Sequence, residues 1–279
     1  MEVDAATDEN YFQSFGSTMT YKIESVTISD APGLAHTMMS AMYEDPHWSV
    51  LWGSMALQNI IDDCAERLPW NLTSHRSTKR HQKVIHAATG EIVGYARWIV
   101  PESHDSTLWA EAQVAEATPK ELDDYKAAFN AVTIQGRFRG MNYKMAHVLG
   151  PALKRAEEEV MTDGPYLCNA LPYSLWKHPL IFRFTDLDYL TTAPMHQRKG
   201  IGTMLVKSGL AKADAASLKT IVMSTPAGVS LYESQGFVTK KIVVQDDAEF
   251  GGPGPHMQTF LVREPVVKSC NGNEIITPA

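Results

Sequence analysis

A short basic stretch, "APMHQRKGIGTMLV" at residues 193–206, has the residue types that hold an anion. Arg198 and Lys199 supply positive charge, and Gly200 and Gly202 follow before an apolar run. Glycine lets a backbone approach a ligand closely. The first turn of a helix carries unpaired N–H groups at its positive end. This stretch therefore predicts a site for a phosphate or pyrophosphate at a strand-to-helix junction.

Two widespread phosphate-binding motifs do not fit the stretch. A P-loop requires G-x-x-x-x-G-K-[ST], whereas here Lys199 precedes the glycines. A dinucleotide fingerprint requires G-x-G-x-x-G, but Leu205 stands where the third glycine belongs. The pattern that remains is Q-R-K-G-I-G at the start of a helix.

Two motifs, in this order along the chain, resemble the GNAT superfamily of N-acetyltransferases. Gln197, Gly200 and Gly202 match the acetyl-CoA loop of that family, Q/R-x-x-G-x-G/A. Farther along, "LYESQGF" matches its Y-x-x-x-G-F helix end. The resemblance covers about residues 20–100 and 184–265, and the variant with a helical insertion is similar to fungal members.

The resemblance implies acetyl-CoA as co-substrate and no metal. It implies that the backbone of the strand before the loop binds the pantetheine arm, at Leu190, Thr191 and Thr192. Gln197 would open the pyrophosphate loop. The N–H groups that would hold the pyrophosphate belong to Arg198, Lys199, Gly200, Ile201, Gly202 and Thr203. Ser224-Thr225 replaces an asparagine that members often use to contact the cofactor, so that contact stays open.

Acetylation of an amine needs an acid for the leaving thiolate, a base for the amine proton and donors for the oxyanion. By resemblance Tyr232 is the acid, because a phenol can donate while staying protonated at neutral pH. Asp186 falls where histone-acetylating members carry a glutamate base, and Asp188 shares its strand face by alternation. The alternatives are a chain of water molecules as base, a core-packing Tyr232, and aspartates that cap or pair the strand start.

The acceptor pocket of the family lies between the junction of the first two helices and the last hairpin. Here these segments are residues 43–48 and 251–256. Glu44, Asp45 and His47 would either attract a cationic amine or form a solvated helix end. Aromatic residues of the insertion either wall this pocket or form a small core of their own: Trp109, Tyr166, Tyr173 and Trp176. His196 is predicted to be a surface residue rather than a catalyst.

Alternating and helical hydrophobic patterns predict the elements that must position these residues. The predicted strands are 20–28, 81–88, 91–100, 184–193, 219–225, 237–245 and 257–263, with a two-residue hairpin turn at Thr89-Gly90. Three of the predicted helices cover about 48–67, 141–161 and 200–215. The other three begin at Asp30, after Thr118 and at Pro226. This order predicts an α/β (α+β) fold, one sheet with helices on both faces. The resemblance implies that the sheet is mixed and mostly antiparallel.

Composition limits the class of protein. With 44% hydrophobic and 20% charged residues, the chain is typical of a globular protein. A net charge of -7 argues against bulk binding of nucleic acid or of an anionic membrane. Cys64, Cys168 and Cys270 lie far apart in the sequence, which favours a reducing compartment and a cytoplasmic protein.

The ends of the chain differ from its middle. "ENYFQS" resembles a protease-cleavage sequence, so we expect residues 1–18 to be a vector leader or a disordered tail. We expect one acyltransferase domain at 19–266, with an insertion at about 101–183, and a tail at 267–279.

The predicted activity is direct transfer of acetyl from acetyl-CoA to a primary amine of a small molecule. The alternatives are transfer to a hydroxyl, transfer of a longer acyl chain, acetylation of a protein, and acyl-CoA sensing without catalysis. The oligomeric state, monomer or homodimer, is left open.

Overall fold

The computed structural model describes residues 20–53, 55–101, 107–162, 166–168 and 189–266, with backbone alone at 166–168. Helices within these ranges are α1 Ala31–Tyr43, α2 Pro46–Ser49, α3 Leu57–Thr73, α4 Pro119–Ala131, α5 Tyr143–Val160, α6 Ile201–Ala215 and α7 Pro226–Glu233. Strands within them are β1 Tyr21–Ser25, β2 Lys79–His86, β3 Ile92–Ile99, β4 Thr133–Ile134, β5 Arg137–Phe138, β6 Tyr166–Cys168, β7 Leu190–Thr192, β8 Lys219–Ser224, β9 Val238–Asp246 and β10 Pro255–Arg263.

One sheet organises the chain. Its strand order is β1-β2-β3-β6-β8-β10-β9, and β7 also pairs with β3. The β6–β8 pair is parallel, and the other recorded pairs of this sheet are antiparallel. The mixed, mostly antiparallel sheet is therefore confirmed.

Alternation along β3 places helices on both faces of the sheet. Tyr95 packs in a core with residues of α1 and α3, whereas Ala96 and Trp98 pack in a core with residues of α6. Gly209 on α6 allows this contact, since a Cβ there would lie 2.2 Å from the Trp98 ring. Successive strand residues point to opposite faces, so the two-sided layer structure follows from the sequence of β3.

The sheet opens between β7 and β8. Cys168 of β6 pairs with Ile99 near the end of β3 and with Ile221 of β8. Farther along β3, its partner changes to β7, where Thr192 pairs with Gly94. Among the described residues no ladder joins β7 to β8, so the two strands leave a wedge-shaped gap between them.

The predicted hairpin turn is wrong in length. β2 ends at His86 and β3 begins at Ile92, so residues 87–91 form the connection. The His86 N–H donates to the Glu91 carbonyl at 2.9 Å, and Gly90 takes the left-handed region at φ +72. β2 therefore ends two residues before its predicted end, and β3 begins one residue after its predicted start.

The predicted helix at 48–67 is also wrong in its bounds. α2 ends at Ser49, a 3-10 turn follows, and Gly53 at φ +54 ends it. Glycine adopts a positive φ at little cost, so it readily ends such a turn. The chain then starts α3 at Leu57, which continues to Thr73.

The insertion at 101–183 is predicted to be helical, but it also contains strands. Its described part contains α4 and α5 but also the β4–β5 hairpin, and β6, which joins the main sheet. Strands of two or three residues are too short to show an alternating pattern. The predicted strand at 184–193 is observed from Leu190, and 184–188 lie outside the described residues.

Candidate active site

A cavity of about 710 Å³ occupies the gap between β7 and β8. Its walls come from β7, the start of α6, the end of β8 and α7 on one side. The α1–α2 junction, α5 and the ends of β9 and β10 complete it. Segments far apart in the sequence thus meet around one open cleft.

One edge of β7 pairs with no strand that the structure describes. The Arg97 N–H donates to the Tyr189 carbonyl and the Ala193 N–H to the Val93 carbonyl, both at 2.9 Å. In an antiparallel ladder, bonding direction alternates along the strand. Residues 189, 191 and 193 therefore bond towards β3, and the N–H and C=O groups of 190 and 192 point towards the cavity.

Thr191 adds an unpartnered group to this wall. It is buried, and among the described residues its Oγ1 has no hydrogen-bond partner. A buried hydroxyl without a partner is costly. Together with the free edge of β7, it suits an extended ligand that carries amide groups.

The glycine loop after β7 turns sharply into α6. Arg198 at φ +59 and Gly200 at φ +82 both take the left-handed region, and α6 begins at Ile201. Gln197 Nε2 donates to Glu44 Oε2 at 3.1 Å, which ties the loop to the end of α1. The loop is exposed, so the N–H groups of the first turn of α6 are accessible to an anion.

The ten predicted cofactor-binding residues lie together. Those that line the cavity are Leu190, Thr191, Thr192, Gln197 and Gly202. Those in the adjoining loop or first helical turn are Arg198, Lys199, Gly200, Ile201 and Thr203. The Ile201 side chain is buried in the core, so its contribution is limited to the backbone.

Gly202 has little free space around it. A Cβ at this position would lie 3.2 Å from Leu231 of α7 and 4.0 Å from Leu190. Contacts of 3.2 Å require the neighbour to move. The glycine therefore keeps α6 and α7 close together beside the cavity.

Tyr232 of α7 lines the cavity and is 5% exposed. Its ring packs edge-on against Phe237 at 5.5 Å between centroids. Burial raises the pKa of the Tyr232 phenol above its usual value. The group is therefore protonated at neutral pH, as an acid must be before it acts.

Ser224 and Thr225 also line the cavity at the end of β8. Ser224 Oγ already donates to the Thr225 carbonyl at 2.8 Å. Thr225 is the N-cap of α7, yet its hydroxyl makes no capping bond. Of the two hydroxyls, the Thr225 hydroxyl is the one available to replace the asparagine contact.

The α1–α2 junction forms the opposite end of the cavity. Asp45 caps α2 by accepting the His47 N–H at 2.9 Å, and Glu44 accepts from Gln197. All three predicted residues of this junction line the cavity. Two carboxylates are thereby held at the cavity wall by local hydrogen bonds.

His47 belongs to a cluster that joins three parts of the chain. Its Nδ1 lies 2.7 Å from Asp247 Oδ2, and its ring stacks on His256 at 3.9 Å between centroids. The side chains of His47, Asp247 and His256 are 24%, 0% and 9% exposed. His47 and His256 line the cavity, so a buried carboxylate supports two imidazoles at its wall.

A glycine loop encloses Asp247. Its Oδ1 accepts the Gly254 N–H at 2.8 Å, and a Cβ on Gly252 would lie 2.2 Å from its carboxyl carbon. Burial alone would raise the pKa of Asp247, but the bonds from His47 and Gly254 and the nearby imidazoles hold it below the usual value. Asp247 is therefore ionised at neutral pH.

The same three side chains offer ligand atoms within 4.8 Å of one another. Two ligands of a tetrahedral zinc ion stand roughly 3.3 Å apart, from Zn–N distances near 2.0 Å. The 2.7 Å separation of His47 and Asp247 is shorter and matches a shared proton. The arrangement is that of a hydrogen-bonded cluster.

Helix α5 of the insertion walls the cavity. Apolar residues line it from α5, from the residue before the N-cap of α5 and from the segment after α1: Trp48, Leu51, Met141, Met145, Leu149 and Leu153. Trp109 instead packs against Trp98 on the other side of the sheet, in the core shared with α6. Tyr173 and Trp176, and the side chain of Tyr166, lie outside the described residues.

Sequence reasoning missed Asp247 as a member of the site, and it included His256 only as the end of the 251–256 segment. Their signal in the sequence is the glycine-rich "GGPG" between them, which allows backbone to close on a carboxylate. Asp186 and Asp188 lie outside the described residues. His196 is not the surface residue predicted, because its ring is mostly buried and Nδ1 bonds Tyr21 at 3.0 Å.

Known proteins are similar to this chain in sequence pattern and in fold. The sequence model of the family described as "Acetyltransferase (GNAT) domain" matches residues 183–248. A Corynebacterium glutamicum structure described as histone acetyltransferase HPA2 and related acetyltransferase has TM-score 0.51 and 15% identity, covering 90% of this chain and 99% of its own. No curated protein matches the chain.

Two further solved structures share the fold. The C-terminal condensation domain of Ebony, in complex with β-alanyl-dopamine, has TM-score 0.51 and 13% identity, covering 88% of this chain and 98% of its own. A putative arylalkylamine N-acetyltransferase 7 from the yellow fever mosquito has TM-score 0.50 and 13% identity, covering 88% and 87%. Identities this low show the fold alone. Residues 183–248 thus match the sequence model of a GNAT acetyltransferase domain, and the chain shares its fold with solved structures described as acetyltransferases.

Proposed function

We propose that this protein transfers acetyl from acetyl-CoA to the primary amine of a small molecule with an apolar body. One observation carries the proposal: a single cavity has the free edge of β7 and the start of α6 at one end and carboxylates at the other. Donor and acceptor can thus meet between them.

The residues at the β7 end fit coenzyme A. The backbone groups of Leu190 and Thr192 that point away from β3 match the amides of a pantetheine arm. The first turn of α6, with Arg198 and Lys199 beside it, suits a pyrophosphate. Acetyl-CoA supplies the thioester, and the amine attacks its carbonyl carbon.

Tyr232 fits the acid of this reaction. As the C–N bond forms and the C–S bond breaks, the sulfur leaves with the electron pair and takes a proton. A buried phenol with a raised pKa holds its proton until such a strong acceptor develops beside it. The proton given up is regained from the nitrogen of the reacting amine.

The acceptor end fits an amine with an apolar body. The carboxylates of Glu44 and Asp45 attract an ammonium group, and the α5 wall contributes Met145, Leu149 and Leu153. Small sites of this kind are largely apolar with a few placed polar groups. The Ebony domain of similar fold was solved with β-alanyl-dopamine, which supports an amine-related ligand here.

The proposal places the protein in the cytoplasm, with no nucleic-acid or membrane partner. Its support is the net charge of -7 and the few, widely spaced cysteines, of which Cys64 is free and buried. Within the described residues, no helix combines the length and the apolar character that crossing a bilayer requires.

An acetyl-CoA turnover screen tests the proposal. Small amines, amino sugars, alcohols and peptides are offered in parallel, and release of free thiol is recorded. We expect the highest kcat/KM with arylalkyl or alkyl primary amines. Turnover confined to alcohols, to peptides or to longer acyl-CoA would contradict acetyl transfer to a small amine and identify that substrate class instead. Binding of coenzyme A without any turnover would indicate a sensor.

A further inference from the structure

The cluster of His47, Asp247 and His256 has a chemistry that the proposed function does not yet assign. An ammonium group has no lone pair with which to attack a thioester, so the amine must lose a proton first. We propose that His47 is the group that accepts this proton and that Asp247 orients it. The inference rests on the proposed function and adds a catalytic residue to it.

Asp247 determines which ring nitrogen of His47 is free. An ionised carboxylate accepts hydrogen bonds only, so at 2.7 Å the His47 Nδ1 carries the proton and donates it to Oδ2. In a neutral imidazole the lone pair is then on Nε2. Nε2 makes no hydrogen bond with any residue that the structure describes, and the ring lines the cavity.

Backbone groups hold the carboxylate behind His47. The backbone of Gly252 and Gly254 encloses Asp247, and the Gly254 N–H occupies its second oxygen. A carboxylate behind Nδ1–H fixes the ring orientation and stabilises the imidazolium that forms when Nε2 takes a proton. The geometry therefore provides both the tautomer and the counter-charge that a general base needs.

The proton transfer balances with the acetyl transfer. One N–H bond of the substrate ammonium breaks and an Nε2–H bond forms, which leaves a lone pair on nitrogen. That pair forms the C–N bond as the C–S electrons move to sulfur. The next proton on nitrogen reaches the sulfur by way of Tyr232, and the imidazolium returns its proton to solvent.

Other titratable groups lie around His47 at the cavity. His256 stacks on it at 3.9 Å between ring centroids, and its Nδ1 lies 3.9 Å from Asp247 Oδ2, so one carboxylate faces both rings. Glu44 and Asp45 lie at the same end, where their negative charge holds the ammonium beside the ring.

Profiles of kcat/KM against pH test the inference with the best amine from the screen. We expect His47→Gln to lower the rate roughly 100-fold or more at pH 7. The variant should recover towards the wild-type rate at high pH, where the amine is neutral in solution. Asp247→Asn should show the same trend. Matched controls are His36→Gln, an exposed histidine of α1, and Asp246→Asn, the exposed neighbour of Asp247, and both should keep the wild-type profile.

A pH profile of His47→Gln that matches the wild-type profile would overturn the inference. So would a profile whose low-pH dependence is lost only in Asp186→Asn or Asp188→Asn. Activity that a chelator removes and zinc restores would replace the base by a metal site. Nitrogen NMR of the wild-type protein gives a readout that does not depend on turnover, and an Nε2–H tautomer of His47 would also overturn it. If the wild-type protein is inactive with every amine, both the proposed function and the role of His47 as base are overturned. If it is active, the variants test the role of His47 alone.

Discussion

At the scale of single residues, sequence patterns identified some residues of the cavity and missed others. Gly202, Tyr232 and His47 could be picked out because each lies within a local motif or junction. Asp247 could not, because it is 200 residues from His47 in sequence. Proximity of that kind is created by packing of β9 beside the α1–α2 junction, and no local pattern records it.

Replacing Tyr232 with Phe tests its role as acid. The change removes only the phenolic oxygen, and the edge contact with Phe237 is kept. We expect kcat to fall roughly 100-fold or more, with the Kd for acetyl-CoA changed less than threefold. Tyr125→Phe on α4, outside the cavity, serves as control. Wild-type kcat in Tyr232→Phe would leave the tyrosine a packing residue.

At the scale of elements, the success of the sequence patterns followed element length and capping. The predicted capping box at Thr118 and Glu121 is present at the start of α4, and α6 and α7 begin within a residue of their predicted starts. The second helix was predicted as continuous, but Gly53 interrupts it, because its positive φ breaks an otherwise helical hydrophobic pattern. β6 was not predicted, because its pairing with β3 and β8 depends on tertiary structure.

Gly202→Val tests the contact between α6 and α7 at the cofactor end. The new side chain meets Leu231 and Leu190, so we expect it to obstruct the space beside β7 and raise the Kd for acetyl-CoA at least tenfold, about 1.4 kcal/mol. Calorimetry measures the Kd. Lys207→Val, an exposed position of the same helix, controls for helix propensity, and equal affinity in both variants would contradict the assignment of the loop.

Leu149→Trp tests whether α5 shapes the acceptor site. Leu149 lines the cavity, whereas its neighbour Val148 is 55% exposed. We expect Leu149→Trp to raise KM for bulky amines roughly tenfold, to leave small amines nearly unchanged and to keep the Kd for acetyl-CoA. Val148→Trp should have the wild-type selectivity. If the two variants behave alike, the insertion does not contact the acceptor.

At the scale of the whole molecule, the opened sheet explains why the fold could be predicted and the acceptor could not. The gap between β7 and β8 depends on the order of the strands and on the glycine loop after β7. Both leave regular patterns in the sequence. The acceptor end combines the α1–α2 junction, α5 and the β9–β10 connection. Its shape depends on how these irregular segments pack, which composition and periodicity do not encode.

Product analysis by mass spectrometry tests whether acetyl reaches an amine in this cavity. The wild-type protein is given acetyl-CoA labelled in the acetyl group and the best primary amine from the screen, and the acceptor is recovered. We expect one labelled amide for each thiol released, and loss of both in Tyr232→Phe. Thiol release without an amide, or an ester in place of the amide, would contradict acetyl transfer to an amine in this cavity.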